Sequence, residues 1–165
     1  MIPASLTFGG GETAGSIAES LTSLPRRLPF AVIVDVDNTV TTYDPAVRNI
    51  YEHEKAYDDP PNEDVCRLVR TIGGTGTPLI FCSGRFEMHR DVTERWLKRY
   101  DLRPTSLFMR ADGDYRTDDV IKSEIYEREI VGRWRVWLVI DDRDRVVKMW
   151  RALGLTCLQV REGAF

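Results

Sequence analysis

Phe30-Ala31-Val32-Ile33-Val34-Asp35-Val36-Asp37-Asn38-Thr39 changes character at residue 35. Its first five residues are apolar and mostly β-branched, as in a parallel strand buried on both faces. Two acids then follow, one residue apart, where burial is costly unless a cation or a hydrogen-bond network compensates them. Asn38 suits the turn that must come next, because asparagine tolerates left-handed backbone better than most residues.

The same pairing of apolar run and polar exit recurs outward from this stretch. Pro78 to Cys82 runs into Ser83-Gly84-Arg85, and Val136 to Ile140 runs into Asp141-Asp142-Arg143. Leu107 to Met109 with its flanks and Thr156 to Val160 complete a set of about five strand candidates. Between them lie residues at helical spacing: Val65, Leu68, Val69 and Ile72; His89, Val92, Trp96 and Tyr100; Ile121 and Ile125; Val146, Trp150 and Leu153. Gly154 stands where a helix-terminating glycine belongs. Alternating strands and helices predict an α/β fold, a doubly wound Rossmann-like parallel sheet with helices on both faces. Ligands of such sheets sit beyond the carboxyl ends of the strands, where the polar exits fall.

Residues 1–29 are rich in Gly, Ser and Thr and end in Leu24-Pro25-Arg26-Arg27-Leu28-Pro29, which predicts a flexible arm ahead of one domain over 30–165. Gly10 to Ser16 has the glycine spacing of a phosphate loop, but Ser16 replaces the lysine that would reach a nucleotide's outer phosphates. Within the domain, about 41–61 reads as a small cap insert carrying Tyr43, Tyr51 and Tyr57. These tyrosines could stack a base or pack the insert onto the domain, and packing is the favoured reading.

The 165 residues are 42% hydrophobic and 30% charged, ordinary values for a globular chain. Runs such as Trp137-Leu138-Val139-Ile140 are far shorter than the roughly 20 residues that span a bilayer. No basic segment leads into an apolar stretch at the N-terminus, so a cytoplasmic, membrane-free protein is expected. Cys66, Cys82 and Cys157 lack zinc-ligand spacing and are expected to be buried thiols. A net charge of −3 gives no overall field for nucleic acid, so any such contact must be local.

Asp35, Asp37, Asp141 and Asp142 would gather at one sheet edge, an all-oxygen donor set that suits Mg2+ rather than zinc. Either Asp141 or Asp142 could be the direct ligand from the second pair. A carboxylate in that setting can attack phosphorus and form an acyl phosphate, and Asp35 is the expected nucleophile. Asp37, two residues on, can protonate the leaving oxygen and later deprotonate water. That division predicts an Asp35 ionised against the metal and an Asp37 able to carry a proton near neutral pH. Ser83 and Lys122 would surround the phosphoryl oxygens, and Gly84 would let backbone approach them. Asp118 and Asp119 favour the start of the helix that carries Lys122.

In this order, Asp35-Val36-Asp37-Asn38-Thr39, Ser83, Lys122 and Asp141-Asp142 resemble the four motifs of the haloacid dehalogenase (HAD) phosphatases. Asn38 stands where that superfamily usually has glycine. The resemblance implies magnesium held by the first aspartate, the backbone carbonyl of the second and an acid of the fourth motif. From Val34 to Phe165 the chain is further similar to the 3′-phosphatase domain of phage polynucleotide kinase/phosphatases. Ser83-Gly84-Arg85, Arg116 to Ile125, Ile140-Asp141-Asp142-Arg143, Val147 to Arg151 and Gln159 to Phe165 carry that likeness. It adds Arg85, Asp118 and, with a loop adjustment, Arg48 to the functional set. Thr39, Arg110, Arg116 and Arg143 join as candidate substrate contacts. It implies a magnesium-dependent 3′-phosphatase acting on DNA or RNA ends in repair, with a separate kinase or ligase as a partner. A nucleotidase for mononucleotides and a non-catalytic module that binds phosphorylated ends are the alternatives. No 5′-kinase activity is expected from these residues.

Overall fold

From Ala31 to Val34, no residue of the central strand β1 (Phe30–Val34) is more than 1% exposed. The computed structural model describes residues 28–42, 46, 48–49 and 52–163, so residues 1–27 of the expected arm, with Gly10 to Ser16, and also Tyr43 and Tyr51 lie outside the described residues. β1 is buried because its two faces serve two cores. Val32 and Val34 pack into one, with Val65, Val69, Phe81, Trp96 and Leu97, while Ala31 and Ile33 pack into the other, with Ile80, Ile121, Ile125, Val139 and Trp150. This is the two-residue period of a strand read on both sides of one sheet.

The remaining strands are β2 (Leu79–Phe86), β3 (Ser106–Arg110), β4 (Arg135–Asp141) and β5 (Cys157–Gln159), all paired in parallel in the order β3-β2-β1-β4-β5. Helices α1 (Glu63–Gly74) and α2 (Arg90–Arg99) cover one face, and α3 (Asp118–Ile125) and α4 (Asp144–Ala152) the other. The order reverses at β1, with later strands added first on one side and then on the other. Such a reversal leaves a crevice at the carboxyl ends of neighbouring strands, here β1 and β4.

Two details differ from the pattern in the sequence. β2 does not end at Cys82: it continues to Phe86, and its register against β3 shifts between Ser83 and Phe86. Ser83, Gly84 and Arg85 therefore belong to an irregular strand end and not to a loop. In α1 the buried stripe is Val65, Cys66 and Val69, while Leu68 is 40% exposed. Cys66 takes the inward position, its Sγ 3.3 Å from Val40 O.

Element ends follow local chemistry. After α4 Gly154 adopts φ 80°, with its N–H on Arg151 O at 3.0 Å and the Leu155 N–H on Trp150 O at 3.1 Å, the paired bonds of a glycine-terminated helix. Asn38 adopts φ 58° in the turn after β1, a backbone that asparagine accepts at little cost. All three cysteines are buried and unbridged, and burial pushes the Cys82 thiol up to about 12. Tyr57 lies under the guanidinium groups of Arg99 and Arg95, 5.0 and 5.5 Å from its ring centre, so it serves packing against α2. Among the described residues no helix is long and apolar enough to cross a membrane.

Candidate active site

β1, β4 and α3 each deliver an acid or base to one cavity of about 600 Å3, whose lining includes Asp35, Asp37, Lys122, Asp141 and Asp142. Lys122, 3% exposed, donates to Asp35 Oδ1 at 2.6 Å and to Asp141 Oδ2 at 2.8 Å. Burial alone would lower the ammonium's pKa, but Asp141 and Asp35 hold it well above the usual lysine range. One cation thus balances two of three buried carboxylates. Oxygens of Asp35, Asp141 and Asp142 lie within 4.8 Å of one another.

The two neighbouring acids of β4's exit have different surroundings. Asp141 is engaged on both oxygens: Oδ2 also accepts from Trp150 Nε1 at 3.2 Å, and Oδ1 accepts from the backbone N–H groups of Asp142 and Arg143 at 2.9 and 3.3 Å. Asp142 Oδ2 is buried with no hydrogen-bond partner. Burial and the adjacent Asp141 push its carboxyl up to about 6. An orphaned carboxylate oxygen beside two more acids is a site one divalent cation would complete, and all of its donors are the hard oxygens that Mg2+ favours. Asp35 is likewise raised well above the carboxylate range, first by burial and then, against the pull of Lys122, by Asp141 and Asp142.

Asp37 occupies a separate, cationic environment. Arg85, 0% exposed, grips it in a fork, Nε to Oδ2 at 2.9 Å and Nη2 to Oδ1 at 2.8 Å, and Arg48 Nη2 approaches Oδ1 at 3.4 Å. Burial acts to raise this carboxyl, but Arg85, assisted by His53 and Arg48, holds it far below the usual range. Two guanidiniums thus favour the charged form of Asp37, while burial and two neighbouring acids disfavour that of Asp35.

The structure places the other expected residues unevenly. Gly84, Arg110, Arg116, Asp118 and Arg143 line the cavity, whereas Ser83, Arg85, Arg48 and Thr39 are buried off its lining. Ser83 Oγ accepts from the Arg85 N–H at 3.2 Å, and Thr39 Oγ1 is buried without a partner. Arg110 is a brace: it donates to the carbonyls of Gly84, Asp114 and Arg116 at 2.7, 2.8 and 2.6 Å and to Asp118. Asp118 holds Arg143 with its other oxygen. A Cβ on Gly84 would come within 2.8 Å of Asp118 Oδ1, so glycine there makes room for this acid.

Two contributors escaped the sequence reading. Asp59, 1% exposed, takes Arg48 through two bonds of 2.7 Å and touches Arg85 at 3.4 Å, so it anchors both guanidiniums that face Asp37. Its neighbours Asp58 and Pro60 give it the look of a polar turn, and no spacing rule marks it. His53 opens the turn His53–Asp58, lines the cavity and has a buried, unpartnered Nδ1. Burial lowers its pKa to about 4. Its ring packs 5.4 Å from that of His89, and these are the chain's 2 histidines.

Comparison with known proteins agrees with this geometry. Residues 29–165 match the family model of the polynucleotide kinase PNKP phosphatase domain. A putative bifunctional polynucleotide kinase/RNA ligase of Autographa californica nuclear polyhedrosis virus is 32% identical over 132 residues, 78% of this chain and 19% of its own length. A chain in the structure of a Pnkp1/Rnl/Hen1 complex superposes with a TM-score of 0.81 at 38% identity, over 86% of this chain and 49% of that one. This chain therefore spans about half or less of these relatives. A class C acid phosphatase from Bacillus anthracis, at 12% identity and a TM-score of 0.59 over 90% of this chain and 73% of its own, shares the fold alone. With the family model covering the whole sheet and every residue around the cavity, the chain belongs to the polynucleotide kinase PNKP phosphatase-domain family, a family of HAD phosphatases.

Proposed function

We propose that this chain is a magnesium-dependent polynucleotide 3′-phosphatase that acts through a phosphorylated Asp35. The observation that carries the reading is the pairing of two unlike carboxylates in one cavity, Asp35 against Lys122 among acids and Asp37 in the grip of Arg85. Membership of a polynucleotide kinase phosphatase-domain family supports a polynucleotide end as substrate, and likeness to a chain of a Pnkp1/Rnl/Hen1 RNA repair complex supports a role in RNA repair. A kinase or ligase would then act on the same ends, as a neighbouring domain or a separate partner.

Asp35 and Asp142, with the backbone at Asp37, would hold the cation, and Asp141 would brace them through Lys122 and its backbone bonds. When bound, the ion supplies positive charge against the phosphoryl oxygens and keeps Asp35 ionised. The chain's own residues do the rest. Asp35 attacks phosphorus, forming a carboxyl–phosphate bond as the bond from phosphorus to the 3′-oxygen breaks, and the departing oxygen takes a proton from Asp37. Arg85 favours ionised Asp37, but the arriving phosphate's negative charge opposes that bias and lets the acid carry a proton for this step. Asp37 then removes a proton from water, which attacks the acyl phosphate and releases inorganic phosphate with Asp35 restored. Lys122 neutralises charge on Asp35 and on the phosphate throughout.

The test is release of phosphate from a 3′-phosphorylated oligonucleotide and from a 3′-mononucleotide in Mg2+. The oligonucleotide is expected to be the better substrate, and Asp35→Asn to lower release by at least about 1,000-fold with the fold intact. A strong preference for the mononucleotide would overturn the substrate, and retained release in Asp35→Asn would overturn the nucleophile.

A further inference from the structure

The cavity extends from the acids to an aromatic rim. Phe86, the last residue of β2, and Tyr115, in the loop between β3 and α3, both line it. Tyr115 is 85% exposed, more than any other large apolar side chain among the described residues, with Met88 next at 71%. A solvated tyrosine on a loose loop would need no explanation, but this loop is braced on both sides of the residue.

Arg110 Nη1 donates to the carbonyls of Asp114 and Arg116, the two residues that flank Tyr115, at 2.8 and 2.6 Å. Arg116 closes the loop from the other direction, its Nη2 on Asp114 Oδ2 at 2.7 Å and its Nη1 on Glu124 at 2.6 Å. Gly113, at φ 79°, makes the turn that begins the segment, and Asp112 accepts the Met88 backbone N–H at 2.9 Å. The tyrosine ring rests against Phe86 at 5.4 Å and 74° between planes, and the Arg110 guanidinium lies 5.7 Å from the Phe86 ring centre. The backbone is thus ordered around a ring that the fold leaves in water.

Ordering an apolar ring in solvent gains nothing from burial, so its contribution must come from what it meets. Arg116, Arg143 and Arg145 line the same cavity, and basic side chains together with an open aromatic ring are the surface that single-stranded nucleic acid uses. We propose that Tyr115, seated on Phe86, is a stacking platform for a nucleobase of the strand whose terminal phosphate enters the acid end of the cavity. The inference rests on the polynucleotide reading above and deepens it: the platform makes a single-stranded end, not a mononucleotide, the preferred ligand. Because every base has a π face, the platform is indifferent to base identity. The platform lies in the loop after β3, whereas Tyr57 of the insert is occupied by Arg99 and Arg95.

Two measurements test it. The ratio of kcat/KM for a 3′-phosphorylated oligonucleotide to that for p-nitrophenyl phosphate is expected to fall by roughly 5- to 150-fold in Tyr115→Ala, and to hold in Tyr115→Phe and Tyr115→Trp. A 3′-phosphorylated oligonucleotide carrying 2-aminopurine at its terminal or penultimate base, bound to Asp35→Asn, is expected to be quenched. Asp35→Asn combined with Tyr115→Ala is expected to lose that quenching. If wild type prefers the oligonucleotide but Tyr115→Ala leaves the ratio and the quenching unchanged, the platform is overturned while the polynucleotide reading stands. If wild type shows no preference for the oligonucleotide at all, both are overturned together.

Discussion

At the scale of single residues, the site is decided by which acids have cationic partners. Asp59 is not among the residues that line the cavity, yet it sets the position of Arg48 and Arg85 and through them the charge of Asp37. Asp59→Ala leaves two buried guanidiniums short of a counter-ion. A stability loss of about 3–5 kcal/mol in chemical denaturation is expected, together with a fall in phosphate release. His53 allows a test through pH. Its folded pKa of about 4 lies below its ordinary 6.5, so the unfolded chain binds the proton more readily. The stability it allows is complete above pH 6.5 and is lost as the pH falls toward 4. His53→Gln should therefore lose less Tm than wild type between pH 7 and pH 5. An identical decline in both proteins would show that His53 is solvated. Asp35, Asp37, Lys122, Asp141 and Asp142 were legible in the sequence because each sits at a strand exit or helix start, whereas Asp59 and His53 lie in a turn without periodicity and their burial comes from tertiary packing.

At the scale of elements, strands and helices serve as levers for these groups. β2 was expected to stop at Cys82 because Ser83-Gly84-Arg85 reads as a loop tripeptide. In the fold it continues to Phe86 because β3 still offers a partner, Arg110 opposite Phe86. That extension carries Arg85 inward to Asp37. Gly84 is fixed by the carboxylate beside it, so Gly84→Ala is expected to push Asp118 away from Arg110 and Arg143. The cost should be about 1–3 kcal/mol by thermal denaturation, with a raised KM for a 3′-phosphorylated oligonucleotide. α4 reaches the site from the opposite face through Trp150, which packs with Tyr126 and donates to Asp141. Trp150→Phe keeps most of the packing and removes the donor, and about 1 kcal/mol of stability should go with it.

At the scale of the whole molecule, one sheet brings together residues as distant as Asp35 and Asp142, and the alternation of apolar runs and amphipathic segments was enough to foresee that meeting. The protonation pattern was not foreseeable, because it depends on which guanidinium enters from which side. A divalent cation should compensate the unpartnered Asp142 oxygen, so Mg2+ is expected to raise the Tm of wild type with increasing concentration. Asp142→Ala should abolish that rise, whatever happens to turnover. A further consequence concerns residues near the end of the described chain. Gly163 lies so close to the backbone of Asp142 that a methyl group there would come within 2.3 Å of Asp142 O. Gly163 O also accepts the Asp144 N–H at 3.0 Å, and Gln159 Nε2 donates to Asp142 O at 2.9 Å. The buttress of the fourth acid therefore comes from residues well beyond it in sequence. A chain cut before Cys157 would carry every carboxylate of the cluster but lack the wall that aims one of them, so its affinity for a divalent cation is expected to fall.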